Sequence, residues 1–287
     1  MAQNYVEELV QTKAADGVEL SGAVIRPVGP ARPTPIVWIH GFTGRYYEPH
    51  AVAIGRRLAE RGYVFVAGNN RGHDFGAVLH VRETGEERMG GAGWEKLDES
   101  PLDVAAWIEF ALALGFEQVV LVGHSLGGMK VTYYMATQQD PRVKALVNAS
   151  GPVWRFIGPA VEATQMTVDA ERMVEEGHGL DLLPPFDGPG ATTVSAQRVV
   201  GSKRFHESVF GWGGTPRAAS LVRCPVLAFI GTEEAWLGVP ADLEWLKANS
   251  TASPRVETRV FQGANHVYTG HEVEVADAIA DWADSQS

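Results

Sequence analysis

Four short runs of apolar residues, PIVWIH (Pro35 to His40), YVFVA (Tyr63 to Ala67), QVVLVG (Gln118 to Gly123) and VKALVN (Val143 to Asn148), punctuate the first half of the chain. Between them lie longer stretches, near Tyr47 to Glu60, Pro101 to Leu114 and Leu126 to Gln138, in which apolar positions recur at helical spacing. Continuous apolar runs of this length predict strands buried on both faces, and the intervening stretches predict helices that cover them. Strand and helix in alternation imply right-handed crossovers and a parallel sheet covered on both sides. Ahead of this pattern, VEELVQTKA and VELSGAVI flank Ala15-Asp16-Gly17, a turn signal that predicts an antiparallel hairpin at the sheet edge.

The alternation breaks between Gly151 and Leu221. That stretch predicts a helix from Pro159 to Glu176, a proline-rich loop from Gly177 to Gly190 and one further helical piece around Ser195 to Arg204. The strand and helix pattern then resumes with PVLAFI (Pro225 to Ile230), a helix around Ala241 to Ala248, a strand from Arg255 to Phe261 and a last helix from about His271 to Ala283. We therefore expect one doubly wound α/β core, residues 1–150 and 221–287, with residues 151–220 inserted as a helical cap over the carboxyl edge of the sheet. The excursion from Phe75 to Trp94 is long for a connection and is expected to border a cleft.

Composition narrows the functional classes. The 287 residues carry a formal charge of −11, and such an excess of carboxylates argues against a nucleic-acid partner, whose binding rests on Lys and Arg. The single cysteine, Cys224, rules out an internal disulfide framework and reads as a small buried residue at a strand start. The amino-terminal segment lacks the charge and apolar run of a leader, and no segment offers the roughly 20 apolar residues of a membrane span. A cytoplasmic protein is the expectation.

The chemistry centres on Gly123-His124-Ser125-Leu126-Gly127-Gly128, which ends an apolar strand and opens a helical segment. In that strand, turn and helix setting G-x-S-x-G is a nucleophile elbow, with glycines two before and two after the serine because the sharp turn leaves no room for side chains. Ser125 is the expected nucleophile. An acyl-transfer oxyanion needs two preorganised donors, which the backbone N-H of Leu126 and that of Phe42, in Ile39-His40-Gly41-Phe42-Thr43-Gly44 after the first parallel strand, are placed to supply. His40 reads as structural support for that loop. Asn69-Asn70-Arg71-Gly72-His73-Asp74 also follows a core strand, with Arg71 expected to be tied to carboxylates. His73, Trp94, Trp154 and Phe156 are the candidate pocket residues, each with plain packing as the alternative.

The order of WIHGF, NNRGHD, LVGHSLGG, PVLAFIGTEE and QGANH resembles the α/β-hydrolase superfamily over nearly the whole chain, the 151–220 segment being the least similar. The resemblance implies a triad in the order serine, acid, histidine. It points to His266 as the base, with His271 as the only rival. The acid falls in Gly231-Thr232-Glu233-Glu234; members of the superfamily more often carry Asp three residues after the glycine, which makes Glu234 the match and Glu233 the second candidate. It implies hydrolysis of a carboxylic ester or lactone, a small-molecule substrate, and neither metal nor organic cofactor. Carbon-carbon, thioester or amide cleavage on the same triad stays open, as does a noncatalytic small-molecule receptor. Oligomeric state is not legible.

Overall fold

The computed structural model describes residues 4–151, 165–185, 192–234 and 238–286. The predicted hairpin is present as β1 (Tyr5–Lys13) and β2 (Glu19–Pro27), paired antiparallel about a turn in which Gly17 takes φ +85°. The apolar runs form β3 (Ile36–Ile39), β4 (Phe65–Gly68), β7 (Val119–His124), β8 (Val143–Ala149), β9 (Val226–Glu233) and β10 (Val256–Asn265). With β1 and β2 they make one eight-stranded sheet in the order β1-β2-β4-β3-β7-β8-β9-β10, antiparallel at the β1 edge and parallel from β4 onward. This is the doubly wound sheet that the sequence pattern predicts, in the α/β-hydrolase fold that the resemblance implies.

β3, β4, β7 and β8 are buried along almost their whole length, which is why their sequences run apolar without alternation. One face is covered by α1 (Pro49–Glu60) and α9 (Glu272–Asp284), joined at their outer edge where Arg57 and Arg61 both donate to Asp277. The other is covered by α2 (Ser100–Ala113) and α3 (Leu126–Gln138). From β3 the chain crosses to β4 on one side and later returns to β7 on the other. The strand order reverses between β3 and β7, and in open α/β sheets the crevice beyond the carboxyl ends at such a point is where ligands bind.

Three expectations need correction. The long connection from Phe75 to Trp94, for which no strands were expected, folds largely into a second sheet, the hairpin β5 (Ala77–Val81) and β6 (Glu86–Gly90), whose mostly exposed positions hid its period. The single helical piece expected around Ser195 to Arg204 is two helices, α5 (Ala196–Val200) and α6 (Lys203–Phe210), separated at Gly201-Ser202. The last strand does not stop at Phe261: past an irregularity that includes Gly263 at φ +76° it continues to Asn265. Between β8 and β9 the described part of the insertion also holds α4 (Gln165–Glu175) and α7 (Ala218–Leu221), and α8 (Ala241–Asn249) follows β9. Cys224 is buried just before β9, where burial pushes its thiol up to about 11. No described helix is long and apolar enough to cross a membrane.

Candidate active site

Ser125 sits between the end of β7 and the first residue of α3 with φ +57° and ψ −129°, a region of backbone space that costs a residue with a Cβ of order 1–3 kcal/mol. The turn can be this tight only because its neighbours lack side chains. A Cβ on Gly123 would overlap the backbone of Gly127 and lie 2.7 Å from Gly128 Cα; one on Gly127 would overlap the Ile39 carbonyl. The same crowding reaches the loop after β3, where a Cβ on Gly41 would lie 2.7 Å from Ser125 Cβ and 3.0 Å from Leu126 N. The backbone preceding Phe42 therefore lies directly against the elbow. Neither the Phe42 nor the Leu126 N-H has an acceptor among the described residues; Leu126 opens α3, and the first amides of a helix carry the positive end of its dipole. The Ser125 hydroxyl likewise has no partner among the described residues.

His40 holds the loop in place. The Asn70 N-H donates to its Nε2 at 3.0 Å, which leaves Nδ1 protonated and donating to the Gly41 carbonyl at 2.9 Å. Burial first, then the nearby Lys130 charge, pull its pKa down to about 3, so the ring is a neutral strut.

The acid and the base come from adjacent strand ends. β9 and β10 run parallel with Glu233 opposite Asn265, so the residue after each, Glu234 and His266, emerges beside the other. His266 Nδ1 lies 2.8 Å from Glu234 Oε2, with the Glu234 side chain 2 % exposed and that of His266 25 % exposed. Successive side chains of an extended strand point to opposite sides, and Glu233 is accordingly exposed. His271, the rival base, caps α9 and pairs instead with Glu274 at 3.1 Å.

His266 is tied to the elbow through His124, the residue before Ser125. His124 Nε2 donates to the His266 carbonyl at 2.8 Å, and its ring stacks on Trp38 with 19° between planes. Burial, reinforced by the neighbouring His50 and His266, pushes the His124 pKa well down, so it stays an uncharged donor.

The candidate pocket residues divide. His73 is bound to Asp74 at 2.8 Å, and Asp74 is held in turn by Arg45. Trp94 stacks edge-on against Phe75 and donates Nε1-H to the Leu180 carbonyl, joining the end of the β5-β6 excursion to the insertion. Trp154 and Phe156 lie outside the described residues. Arg71 is fully engaged with Asp103, Asp16 and Glu99, a structural clamp between β4 and α2.

Sequence reasoning missed a buried ionic group beside the site. Lys130 Nζ, 0 % exposed in the middle of α3, lies 2.6 Å from Glu95, which is also contacted at 2.9 Å by Arg198 from α5. The available signal was a lone lysine in LGGMKVTYYM, a helical stretch otherwise without charge. A buried cation needs a buried partner, but nothing in the sequence says which carboxylate supplies it.

Comparison with known proteins agrees with the architecture. A family profile described as alpha/beta hydrolase fold matches residues 34–172. Among solved structures, Est1E from Butyrivibrio proteoclasticus with ferulic acid bound is 21% identical, covers 96% of this chain and 99% of its own, and superposes with a TM-score of 0.64. The Pyrococcus furiosus esterase Pf2001 is 16% identical over 98% and 93% with a TM-score of 0.62. The esterase domain of a Rhodothermus marinus protein is 19% identical over 97% and 98%, also at 0.62. A search of curated protein sequences finds no significant match.

Proposed function

We propose that this chain, an α/β hydrolase by fold, is a serine esterase that cleaves a carboxylic ester or lactone through an acyl-enzyme on Ser125. The observation that carries the reading is the 2.8 Å hydrogen bond from His266 Nδ1 to the buried Glu234 carboxylate, made at strand ends next to a strained serine elbow. A carboxylate on Nδ1 fixes the imidazole with Nε2 unprotonated, the tautomer a general base needs. Ser125 Oγ attacks the ester carbonyl carbon as His266 Nε2 takes its proton. The oxyanion is held by the N-H groups of Phe42 and Leu126, both without acceptors among the described residues. Nε2-H then protonates the leaving alcohol, and a water molecule, deprotonated by the same nitrogen, releases the acid. No hydrogen bond between Ser125 and His266 is seen among the described residues, and such catalytic contacts often tighten only with substrate.

Residues 151–220 serve as the cap, and the shape of cap and loops sets which ester fits. Support comes from α6, whose Phe205, Val209 and Phe210 pack in one apolar cluster with Leu126, Met129 and Phe42. The esterase names of three structures with this fold favour an ester over an amide or thioester.

Labelling with a fluorophosphonate and mapping the modified peptide tests the reading, together with turnover of 4-nitrophenyl butyrate. Modification at Ser125 and turnover lost in Ser125→Ala are expected. Label on another residue, or wild-type turnover no faster than that variant, would overturn it.

A further inference from the structure

Arg198 is an unusual cation for so acidic a chain. Its side chain is 11 % exposed, yet only Nη1 has an acceptor, Glu95 Oε1 at 2.9 Å, and Glu95 already shares its charge with Lys130. Among the described residues two cations, Lys130 and the mostly buried Arg198, thus face one buried carboxylate, leaving one positive charge in excess. The other guanidinium nitrogens find no acceptor among the described residues, and they are not sealed from solvent either. Asp98 and Glu99, the acids next along the chain from Glu95, have other partners: Asp98 accepts the Phe205 N-H, and Glu99 is bound to Arg71.

The position of this spare charge is defined by the rings around it. The guanidinium lies over the Phe42 ring at 5.4 Å, and Phe42 packs with Leu126, so Arg198 is one aromatic ring away from both proposed oxyanion donors. His206, close enough to feel the Arg198 charge, is in ring contact with Phe210 and Trp212. The His206 pKa is drawn down to about 4, by burial first and then by Arg198, although the residue keeps some accessible surface.

We propose that Arg198, stacked on Phe42 beside the apolar cluster that Phe42 shares with Phe210 and Trp212, is a subsite for a carboxylate on the substrate, so that the enzyme selects esters of acidic compounds over neutral ones. This rests on the esterase reading above. The planar fork of a guanidinium matches the two oxygens of a carboxylate, and a mostly buried N-H without an acceptor gains most from such a partner. Neutral His206 adds a nearby donor without a second charge. The aromatic rings favour an apolar body behind the carboxylate.

Two measurements decide it. Isothermal titration of benzoate and of benzamide into Ser125→Ala reads the subsite without any turnover; benzoate should bind at least about tenfold more tightly, the scale of one charged hydrogen bond, and Arg198→Gln in that background should erase the difference. In the active enzyme, kcat/KM for mono-4-nitrophenyl glutarate over that for 4-nitrophenyl pentanoate should exceed about ten, fall towards one in Arg198→Gln and recover in part in Arg198→Lys. Equal binding of benzoate and benzamide, or a preference unchanged in Arg198→Gln, would overturn the subsite. If Arg198→Gln fails to fold, Arg198→Lys in the same background takes its place, and a benzoate preference unchanged in that variant overturns the subsite. Should neither ester be hydrolysed, the esterase reading fails while the titration continues to judge the subsite.

Discussion

Replacing Glu234 by Gln keeps the shape of the side chain and removes its charge. In the proposed transition state His266 becomes an imidazolium 2.8 Å, nitrogen to oxygen, from a carboxylate that is 2 % exposed. Two unit charges centred about 4 Å apart at an effective dielectric constant of about 20 attract by about 4 kcal/mol. That corresponds to about a thousandfold in kcat, and an amide that turns its NH2 group toward Nδ1 also imposes the wrong tautomer, raising the loss toward the roughly 10⁴-fold known for a serine-protease triad acid. Glu233→Gln, whose side chain faces solvent, should remain within about twofold of wild type, since exposed positions rarely matter more. Both variants would be assayed on 4-nitrophenyl acetate, with thermal unfolding followed by circular dichroism to establish that each is folded. A folded Glu234→Gln enzyme within about tenfold of wild type would refute the charge argument, and an equal loss in Glu233→Gln would refute the alternation that separates the two residues.

Three further outcomes are expected. Ser125→Ala and His266→Ala should each abolish turnover to a similar extent and together do no more harm, because nucleophile and base act as a unit; Ser125→Gly should in addition raise stability by about 1 kcal/mol by relieving the φ +57° strain, and no gain in melting temperature would count against that strain. Gly41→Ala places a methyl 2.7 Å from Ser125 Cβ, so the loop must shift and kcat should fall by about a hundredfold; unchanged kinetics would show that the oxyanion loop tolerates movement. Stability should drop on acidification. His40 and His50 are buried with pKa values lowered to about 3 and about 4, so between there and about 6.5 the unfolded chain binds more protons and stability is lost as pH falls. At pH 5 each histidine contributes about 2 kcal/mol of that loss, readable by urea unfolding at pH 7.5 and 5.0, and a flat profile would contradict their burial as neutral rings.

Much of this protein is written locally. A strand buried on both faces needs every side chain apolar, so PIVWIH and QVVLVG declare themselves without reference to the rest of the chain. A serine forced to positive φ needs glycines two residues away on each side, so the elbow at Ser125 is likewise a local pattern. The choice between Glu233 and Glu234 was narrowed by resemblance alone, whereas their separation in space follows from the pairing of β9 with β10, which puts Asn265 opposite Glu233 and so His266 beside Glu234. Where binding energy depends on partners distant in sequence, the chain is silent. The carboxylate that lets Lys130 be buried arrives from residue 95, the arginine that shares it from residue 198, and the histidine that ties the base loop to the elbow reaches across 142 positions. The β5-β6 hairpin escaped for the opposite reason: most of its side chains are in contact with water, so no buried face imposed a period on its sequence. Periodicity records which side chains leave water, but not which of them meet, and the meeting of charges from separate segments is decided only when the sheet is assembled.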